Sequence, residues 1–321
     1  LIDVSSFKLK NFLTSFVSIN IAEIKKQFFK IFVIYLSITV FICILLKIAD
    51  FRLFDSLNLS MTFISSGGFL PSNTLDEIAN TNNKIFIVSI CMLFSYFNLY
   101  LIYNLLTIKK KINLYQEDIL LAFYLLFLIF ISFIFFNKYD SYQSIFLSLV
   151  SSISNIGIGL AESPKELSIV FLFLTIIGGG LFSTSSGMKF IKFILLAKYS
   201  FNELFLIVRP KYILNSNLYF SSLKIEYEEI NKYFLSFLFF IILCLILSSY
   251  LSFYGIDLKD SLTLAFLTLT NTVNSSIYNL EFFDYNYLSN YPKLILILFM
   301  ILGRIEILTL LVFIKKFFFK T

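Results

Sequence analysis

Short tracts of glycine, serine and asparagine interrupt otherwise strongly apolar sequence in this chain. One is SSGG at residues 65–68, and another is NIG at residues 155–157. Glycine allows the backbone to bend or to approach another group closely. In lipid, irregular backbone is tolerated only where it is buried in protein or lines a water-filled cavity. Cation filters use backbone carbonyl groups to replace the hydration shell of the ion. The two tracts therefore predict a cation-conducting pore, whereas an ordinary extracellular turn is the alternative for either tract alone.

A longer tract, GGGLFSTSSGMK, lies at residues 178–189 within the fourth apolar run. Glycine costs about 1 kcal/mol relative to alanine in a helix interior, and serine and threonine compete for backbone hydrogen bonds. We expect the helix to break here and to form an intramembrane loop that acts as a gate. Close helix packing through small residues is the alternative. It explains a spacing such as that of Gly180 and Thr184, but not a whole polar tract.

An arginine lies deep in the last apolar run, in the sequence GRIE at residues 303–306. Arginine at the centre of a membrane helix costs at least about 2.5 kcal/mol, so Arg304 is expected to face the pore. Glu306 is a poor partner because residues two apart lie on different helix faces. Carbonyl groups of the broken loop are better candidates. The alternative is an arginine near a helix end whose side chain reaches the membrane surface.

The composition indicates an integral membrane protein. The chain is 58% hydrophobic and only 14% charged, with a mean hydropathy of +0.86, whereas soluble domains carry about 25% charged residues. The net charge of +6 comes from short connections and does not indicate nucleic acid binding. Histidine is absent and the three cysteines are isolated. These features argue against an enzyme, a cofactor, a metal cluster or a disulfide framework.

Six apolar runs are long enough to cross about 30 Å of hydrocarbon, and they occur in pairs. The runs are 31–49, 85–106, 119–137, 167–197, 233–254 and 294–316. Each pair encloses a shorter insert with an acidic residue near its start, expected to cap a short helix. The inserts are 54–73, 141–164 and 260–280. The chain thus predicts an all-α membrane protein with tandem helix–pore-loop–helix repeats. Lysine and arginine are concentrated on the side of both termini, which predicts cytoplasmic termini and outward-facing loops.

The motifs resemble the TrkH proteins of the Trk/Ktr/HKT potassium-transporter superfamily. The resemblance lies in SSGGF at 65–69 before Pro71, in the tract at 178–189, and in GRIEILTLLVF at 303–313. It implies four repeats around a pseudo-fourfold pore, of which this chain contains the second, third and fourth. The expected organisation is a cytoplasmic connection at 1–30 and repeats at 31–107, 119–198 and 231–318, the middle one with a broken second helix.

The resemblance also implies the roles of particular residues, with potassium as substrate, no cofactor, and no metal other than potassium at the filter. The implied filter residues are Ser65, Ser66, Gly67, Gly68, Asn155, Ile156, Gly157, Asn271, Thr272 and Val273. The implied gate residues are Gly178, Gly179, Gly180, Ser183, Thr184, Ser185, Ser186, Gly187, Lys189 and Arg304. The family further implies a multi-pass protein of the bacterial inner membrane. We expect a homodimer that works with a cytoplasmic nucleotide-binding regulatory subunit of TrkA type.

Two departures from the family pattern keep other functions open. The chain begins at Leu1 without the first repeat, so we expect it to be part of a longer polypeptide and unable to close a fourfold pore alone. In the last insert the family expects a glycine near Val273 or Asn274, and a β-branched residue disfavours positive φ. The alternatives are a non-conducting relative and an ion-coupled secondary transporter, which also has broken helices at mid-membrane.

Overall fold

The fold of the described residues is mostly helical in the computed structural model of the chain. The described residues are 24–72, 74–99, 102, 116–135, 142–161, 163–181, 183–208, 218–220, 223–225, 227–280, 285 and 288–304. Their α-helices are α1 (Ile24–Ile48), α2 (Leu53–Ser65), α3 (Asn82–Tyr96), α4 (Gln116–Phe135), α5 (Tyr142–Ile153), α6 (Ser168–Ile176), α7 (Phe190–Val208), α8 (Tyr227–Phe253), α9 (Leu258–Leu269) and α10 (Asn290–Arg304). Two short strands, β1 (Leu218–Phe220) and β2 (Leu223–Ile225), pair antiparallel between α7 and α8.

Three short helices of 12 or 13 residues, α2, α5 and α9, follow long ones. Helix α2 packs against α1 and α3, and α9 packs against α8 and α10. Helix α5 packs against α3, α4 and α6. Each short helix coincides with one of the predicted inserts and is too short to cross a bilayer, because a helix rises only about 1.5 Å per residue.

The outward faces of the long helices carry many exposed apolar side chains. Segments Ile31–Ile48 and Ile230–Phe253, in α1 and α8, are the two parts of the described chain long and apolar enough to cross a membrane. In α1, Ile38 is buried at 2% exposure while Phe32 on the outer face is 61% exposed. Apolar surface of this extent is typical of contact with lipid or another protein. The other four predicted spans are interrupted or run beyond the described residues.

The middle short helix, α5, lies at the centre of the fold. All of its residues from Ser144 to Ile153 are buried, although the sequence contains several serines. Ser148 and Ser152 each donate their hydroxyl proton to the carbonyl group four residues earlier, at 2.8 Å. Bonds of this kind allow small polar side chains to be buried, although the buried Ser151 hydroxyl has no partner among the described residues.

Several boundaries and caps differ from the sequence-based expectations. Helix α3 ends at Tyr96 rather than near 106, α1 and α8 begin earlier than predicted, and α7 continues to Val208. The acidic residues Asp55 and Asp260 lie in the first turns of α2 and α9 and are not their caps. There they favour the positive end of the helix dipole. The third expected cap, Asp140, and also Glu306 lie outside the described residues.

Candidate functional site

The three short helices end in the same backbone motif. Ser66, Asn155 and Asn271 each adopt the left-handed conformation, with φ of 47°, 57° and 50°. The amide of each donates to the carbonyl group three residues earlier, and the next amide donates to the carbonyl group five residues earlier. This is the Schellman arrangement that ends many helices. The three positions are therefore equivalent in the fold.

The residue two positions after each left-handed residue differs in the third copy. Gly68 and Gly157 have positive φ values of 72° and 81°, whereas Val273 is not among the positive-φ residues. The expected departure from the glycine pattern thus falls on Val273 and not on Asn274. We call residues 65–68, 155–157 and 271–273 loop segments 1, 2 and 3.

The three loop segments approach one another closely at Gly68 and Gly157, which have no side chain between their backbone and the neighbouring segment. A Cβ atom added to Gly68 would collide with the Ile156 carbonyl oxygen and the Val273 side chain. One added to Gly157 would lie 2.7 Å from the Val273 amide nitrogen and would collide with its carbonyl oxygen. Glycine is required at both positions by close approach as well as by positive φ.

One carbonyl expected to bind potassium already has a partner. The Val273 amide donates a long hydrogen bond, 3.4 Å from nitrogen to oxygen, to Ile156. Hydrogen bonds of this length are weak. Loop segments 2 and 3 are therefore joined directly at the level where an ion ligand was expected.

The fourth apolar run is broken, as predicted from its glycines. Helix α6 ends at Ile176 and α7 begins at Phe190; we call the intervening residues 177–189 the crossing loop, in which residue 182 lies outside the description. The two ends of the crossing loop pair with each other. The Gly178 amide donates to Met188 at 2.7 Å, and the Met188 amide donates to Ile176 at 2.9 Å.

The crossing loop explains why α3 ends early. The Gly180 amide donates to the Tyr96 carbonyl group at 3.1 Å, and the Ser185 amide donates to the Ser95 carbonyl group at 3.2 Å. These carbonyl groups belong to the last turn of α3, which has no intrahelical donors left. Amide groups of a distant segment therefore satisfy the end of the helix.

Two basic side chains hold the crossing loop. Lys189 Nζ donates to the carbonyl groups of Ser183 and Ser185 at 3.0 and 2.9 Å. Arg304 Nη1 donates to Ser186 Oγ at 2.6 Å, and its Nη2 donates to the Ser65 carbonyl group at 3.2 Å. The expectation that Arg304 contacts carbonyl groups of the broken loop needs correction. Its crossing-loop partner is a hydroxyl group, and its carbonyl partner belongs to loop segment 1.

A cavity of about 210 Å³ lies between the crossing loop and helices α7 to α10. Lys189, Lys192 and Arg304 line it, and none of its lining residues is acidic. The remaining lining residues are Ser183, Thr184, Ser185, Ser186, Gly187, Met188, Ser236, Phe240, Leu269 and Gly303. The cavity carries positive charge beside the crossing loop.

Glu117 is a residue of the site that sequence reasoning missed. It lies in the first turn of α4 with 4% exposure, and its Oε1 accepts a hydrogen bond from the Leu181 amide of the crossing loop at 2.9 Å. Its neighbour Asp118 is equally buried. Acidic residues before an apolar helix are usually solvated, so only the position of the crossing loop reveals this contact.

Comparisons with known proteins agree with this architecture. No family model matches the chain. It is 29% identical over 300 residues to an uncharacterized cation transporter of Methanocaldococcus jannaschii, covering 90% of this chain and 59% of that protein. It is 26% identical over 296 residues to the Trk system potassium uptake protein TrkG of Escherichia coli K12, covering 86% and 58%. The chain thus spans about three fifths of the length of these curated relatives.

The crystal structure of the potassium transporter TrkH from Vibrio parahaemolyticus has a similar fold. The TM-score is 0.81 at 21% identity, covering 92% of this chain and 65% of that one. The fold is similar to that of this transporter, and the apolar outward faces of the helices are typical of the membrane-protein class. Within this class, the likeness to TrkG and TrkH supports the Trk/Ktr potassium-transporter family, as the sequence motifs indicate.

Proposed function

We propose that the chain forms part of a potassium-uptake pathway across the bacterial cytoplasmic membrane. The observation that carries the proposal is the meeting of the three loop segments, each after the same left-handed helix end. A filter of this type needs narrow extended backbone with no side chain at the tightest point. Gly68 and Gly157 provide this at two of the three segments.

The crossing loop is the proposed gate. It runs beside the loop segments and is held by Lys189 and Arg304 through backbone and hydroxyl groups. Two cationic side chains at this place repel a potassium ion, because like charges in a medium of reduced dielectric constant interact strongly. Flux then requires the crossing loop and these side chains to move together.

The order of long helix, short helix, loop segment and further helix supports the proposed repeats. In this proposal the units are family repeats two, three and four, the short helices enter from the outer side, and a first repeat completes the pore. We further propose a homodimer with a cytoplasmic nucleotide-binding regulatory subunit of TrkA type, and no cofactor.

A non-conducting relative is the second candidate, and one contact favours it. The Val273 amide donates to the Ile156 carbonyl group, and its side chain lies against Gly68. A potassium ion at this level would have to displace that hydrogen bond. Since hydrogen bonds of this kind contribute only about 1 kcal/mol, the contact can hinder conduction without preventing it.

The test is potassium uptake by the full-length protein in a bacterial strain that lacks its own uptake systems. We expect growth at low potassium and accumulation of the ion. Gly68→Ser should lower the ratio of potassium to sodium uptake. The matched control is Gly255→Ser, because Gly255 also has positive φ (87°) but nothing lies within 4 Å of an added Cβ.

Two results decide between the candidates. Absence of uptake with folded protein present in the membrane refutes potassium transport and favours the non-conducting relative. If Gly68→Ser and Gly255→Ser change the ratio equally, Gly68 is not part of a filter.

A further inference from the structure

Each left-handed residue at the end of a short helix reaches beyond its own loop with a polar side chain. Ser66 Oγ donates to the Thr184 carbonyl group at 2.9 Å. Asn155 Nδ2 donates to Thr175 at 2.7 Å, and Asn271 Nδ2 donates to Met300 at 3.0 Å. The three equivalent positions thus make equivalent bonds, from side chain to a distant carbonyl group.

The three acceptors lie in the elements proposed to form the gate or directly beside them. Thr184 belongs to the crossing loop, and Thr175 is in the last turn of α6, directly before that loop. Met300 lies in α10 one turn before Arg304, and its carbonyl group is the one that the Arg304 amide contacts in a regular helix. Each loop segment is therefore tied to the crossing loop, to the helix end that directly precedes it, or to the helix turn that carries Arg304.

The backbone conformation alone does not account for these side chains. Glycine is the usual residue at this position of the motif because a Cβ atom disfavours left-handed backbone. The chain instead places serine or asparagine at all three ends. Asparagine tolerates left-handed backbone better than most residues, but Asn155 is fully buried and its amide bonds a helix 20 positions along the chain.

We propose that Ser66, Asn155 and Asn271 are positioning residues that couple the three loop segments to the gate elements. Each side-chain bond fixes the position of its loop segment relative to the crossing loop, α6 or α10. Displacement of the crossing loop would break the Ser66 hydrogen bond and strain the hydrogen bond of Asn155. Because both residues belong to the loop segments proposed as the filter, opening of the gate would then alter ion selectivity. The inference rests on the proposed filter and gate roles.

The chain offers a matched control for the loss of such a side chain. Asn279 also has left-handed backbone, with φ of 58°, and follows loop segment 3 by six residues. Its side chain makes no hydrogen bond within the described part of the chain. Replacement of Asn279 by glycine therefore changes the same residue type in the same conformation without removing a side-chain hydrogen bond to another element.

The first measurement is amide hydrogen exchange on the full-length protein in lipid nanodiscs. Asn155→Gly and Asn271→Gly should each speed exchange both in the loop segment and in the acceptor helix, α6 or α10. The expected factor is about fivefold for Asn271→Gly, which loses one hydrogen bond of about 1 kcal/mol. It should be larger for Asn155→Gly, because Asn155 Nδ2 also donates to Thr272 Oγ1 at 3.3 Å. Asn279→Gly should leave α6, α10 and the crossing loop unchanged.

Ser66 provides a rescue test. Ser66→Gly should speed exchange in the crossing loop, and Ser66→Asn should restore protection because the other two segments use asparagine at this position. Ser66 Oγ also lies 2.8 Å from the Ser65 carbonyl group, so its single proton is shared between two acceptors. The effect of Ser66→Gly should accordingly be smaller than that of Asn155→Gly.

The second measurement is the ratio of potassium to sodium flux in the same variants. Asn155→Gly and Asn271→Gly should lower the ratio and raise leak flux together, whereas Asn279→Gly should change neither. Faster exchange confined to the loop segments, with the acceptor elements unchanged, overturns the coupling. Asn271 is only half-buried, so its variant keeps the test available if Asn155→Gly fails to fold.

The two proposals fail in distinguishable ways. If the wild-type protein carries no potassium, the proposed function fails, and hydrogen exchange still decides whether the segments and gate elements are coupled. If the wild type is selective and the glycine variants keep both its selectivity and its exchange pattern, the coupling is wrong while potassium transport stands.

Discussion

Replacement of Arg304 by alanine should raise potassium flux, because this side chain joins the crossing loop to loop segment 1. Its guanidinium makes two hydrogen bonds, one to Ser186 Oγ and one to the Ser65 carbonyl group. Hydrogen bonds from a charged group contribute about 1.5–3 kcal/mol each. The arginine is exposed, so the lower value of about 1.5 kcal/mol per bond is appropriate.

The size of the effect follows from the number of bonds that exist only in the closed arrangement. Loss of the Ser186 bond alone moves the closed-to-open ratio by about tenfold, and loss of both moves it by about 150-fold. Flux through a gate-limited pathway should therefore rise between these values. Arg304→Lys keeps the charge but lacks the planar fork that serves two acceptors, so its flux should lie between those of wild type and Arg304→Ala.

The assay is potassium flux in proteoliposomes, normalised to folded protein measured by size-exclusion chromatography. Arg52→Ala is the matched control, since Arg52 is exposed at the start of α2, away from the crossing loop. Wild-type flux in Arg304→Ala, with wild-type folding, would refute the gate role of this residue. Equal flux in the lysine and alanine variants would show that the charge itself contributes nothing.

Three further substitutions test the contacts around the loop segments. Gly157→Ala should lower the free energy of unfolding, measured by thermal denaturation, by about 2–5 kcal/mol, since the new methyl group meets the Val273 backbone. Gly255→Ala shares the positive φ but has open space around the new methyl group, so it should lower this free energy by only about 1–2 kcal/mol. Equal losses would mean that strain rather than crowding matters at Gly157. Val273→Gly should raise potassium flux and the potassium-to-sodium ratio by permitting positive φ, and unchanged transport would count against a filter position there. Lys189→Met should increase leak flux, because it releases two carbonyl groups of the crossing loop. A sodium flux assay without a potassium gradient checks this, and wild-type leak in the variant would contradict it.

Local sequence was sufficient to predict the short helices and the broken helix, whereas the exceptional third segment was expected from the family resemblance. Glycine and serine within an apolar run have few explanations in a membrane, because unsatisfied backbone is costly there. The tract at 178–189 therefore predicted the break between Ile176 and Phe190. Recognition of Val273 as a departure depended instead on the family resemblance, which implies a glycine near this position, and a β-branched side chain restricts the backbone there.

The sequence by itself thus determined which segments are helical, which are irregular and which residues are small. Only the tertiary structure decided which carbonyl groups are engaged. It ended α3 at Tyr96, brought buried Glu117 to the Leu181 amide, and joined the Val273 amide to Ile156. These contacts connect positions 64 to 117 residues apart in the chain. Their hydrogen bonds depend on how helices pack against one another, and no local preference along the chain encodes that arrangement.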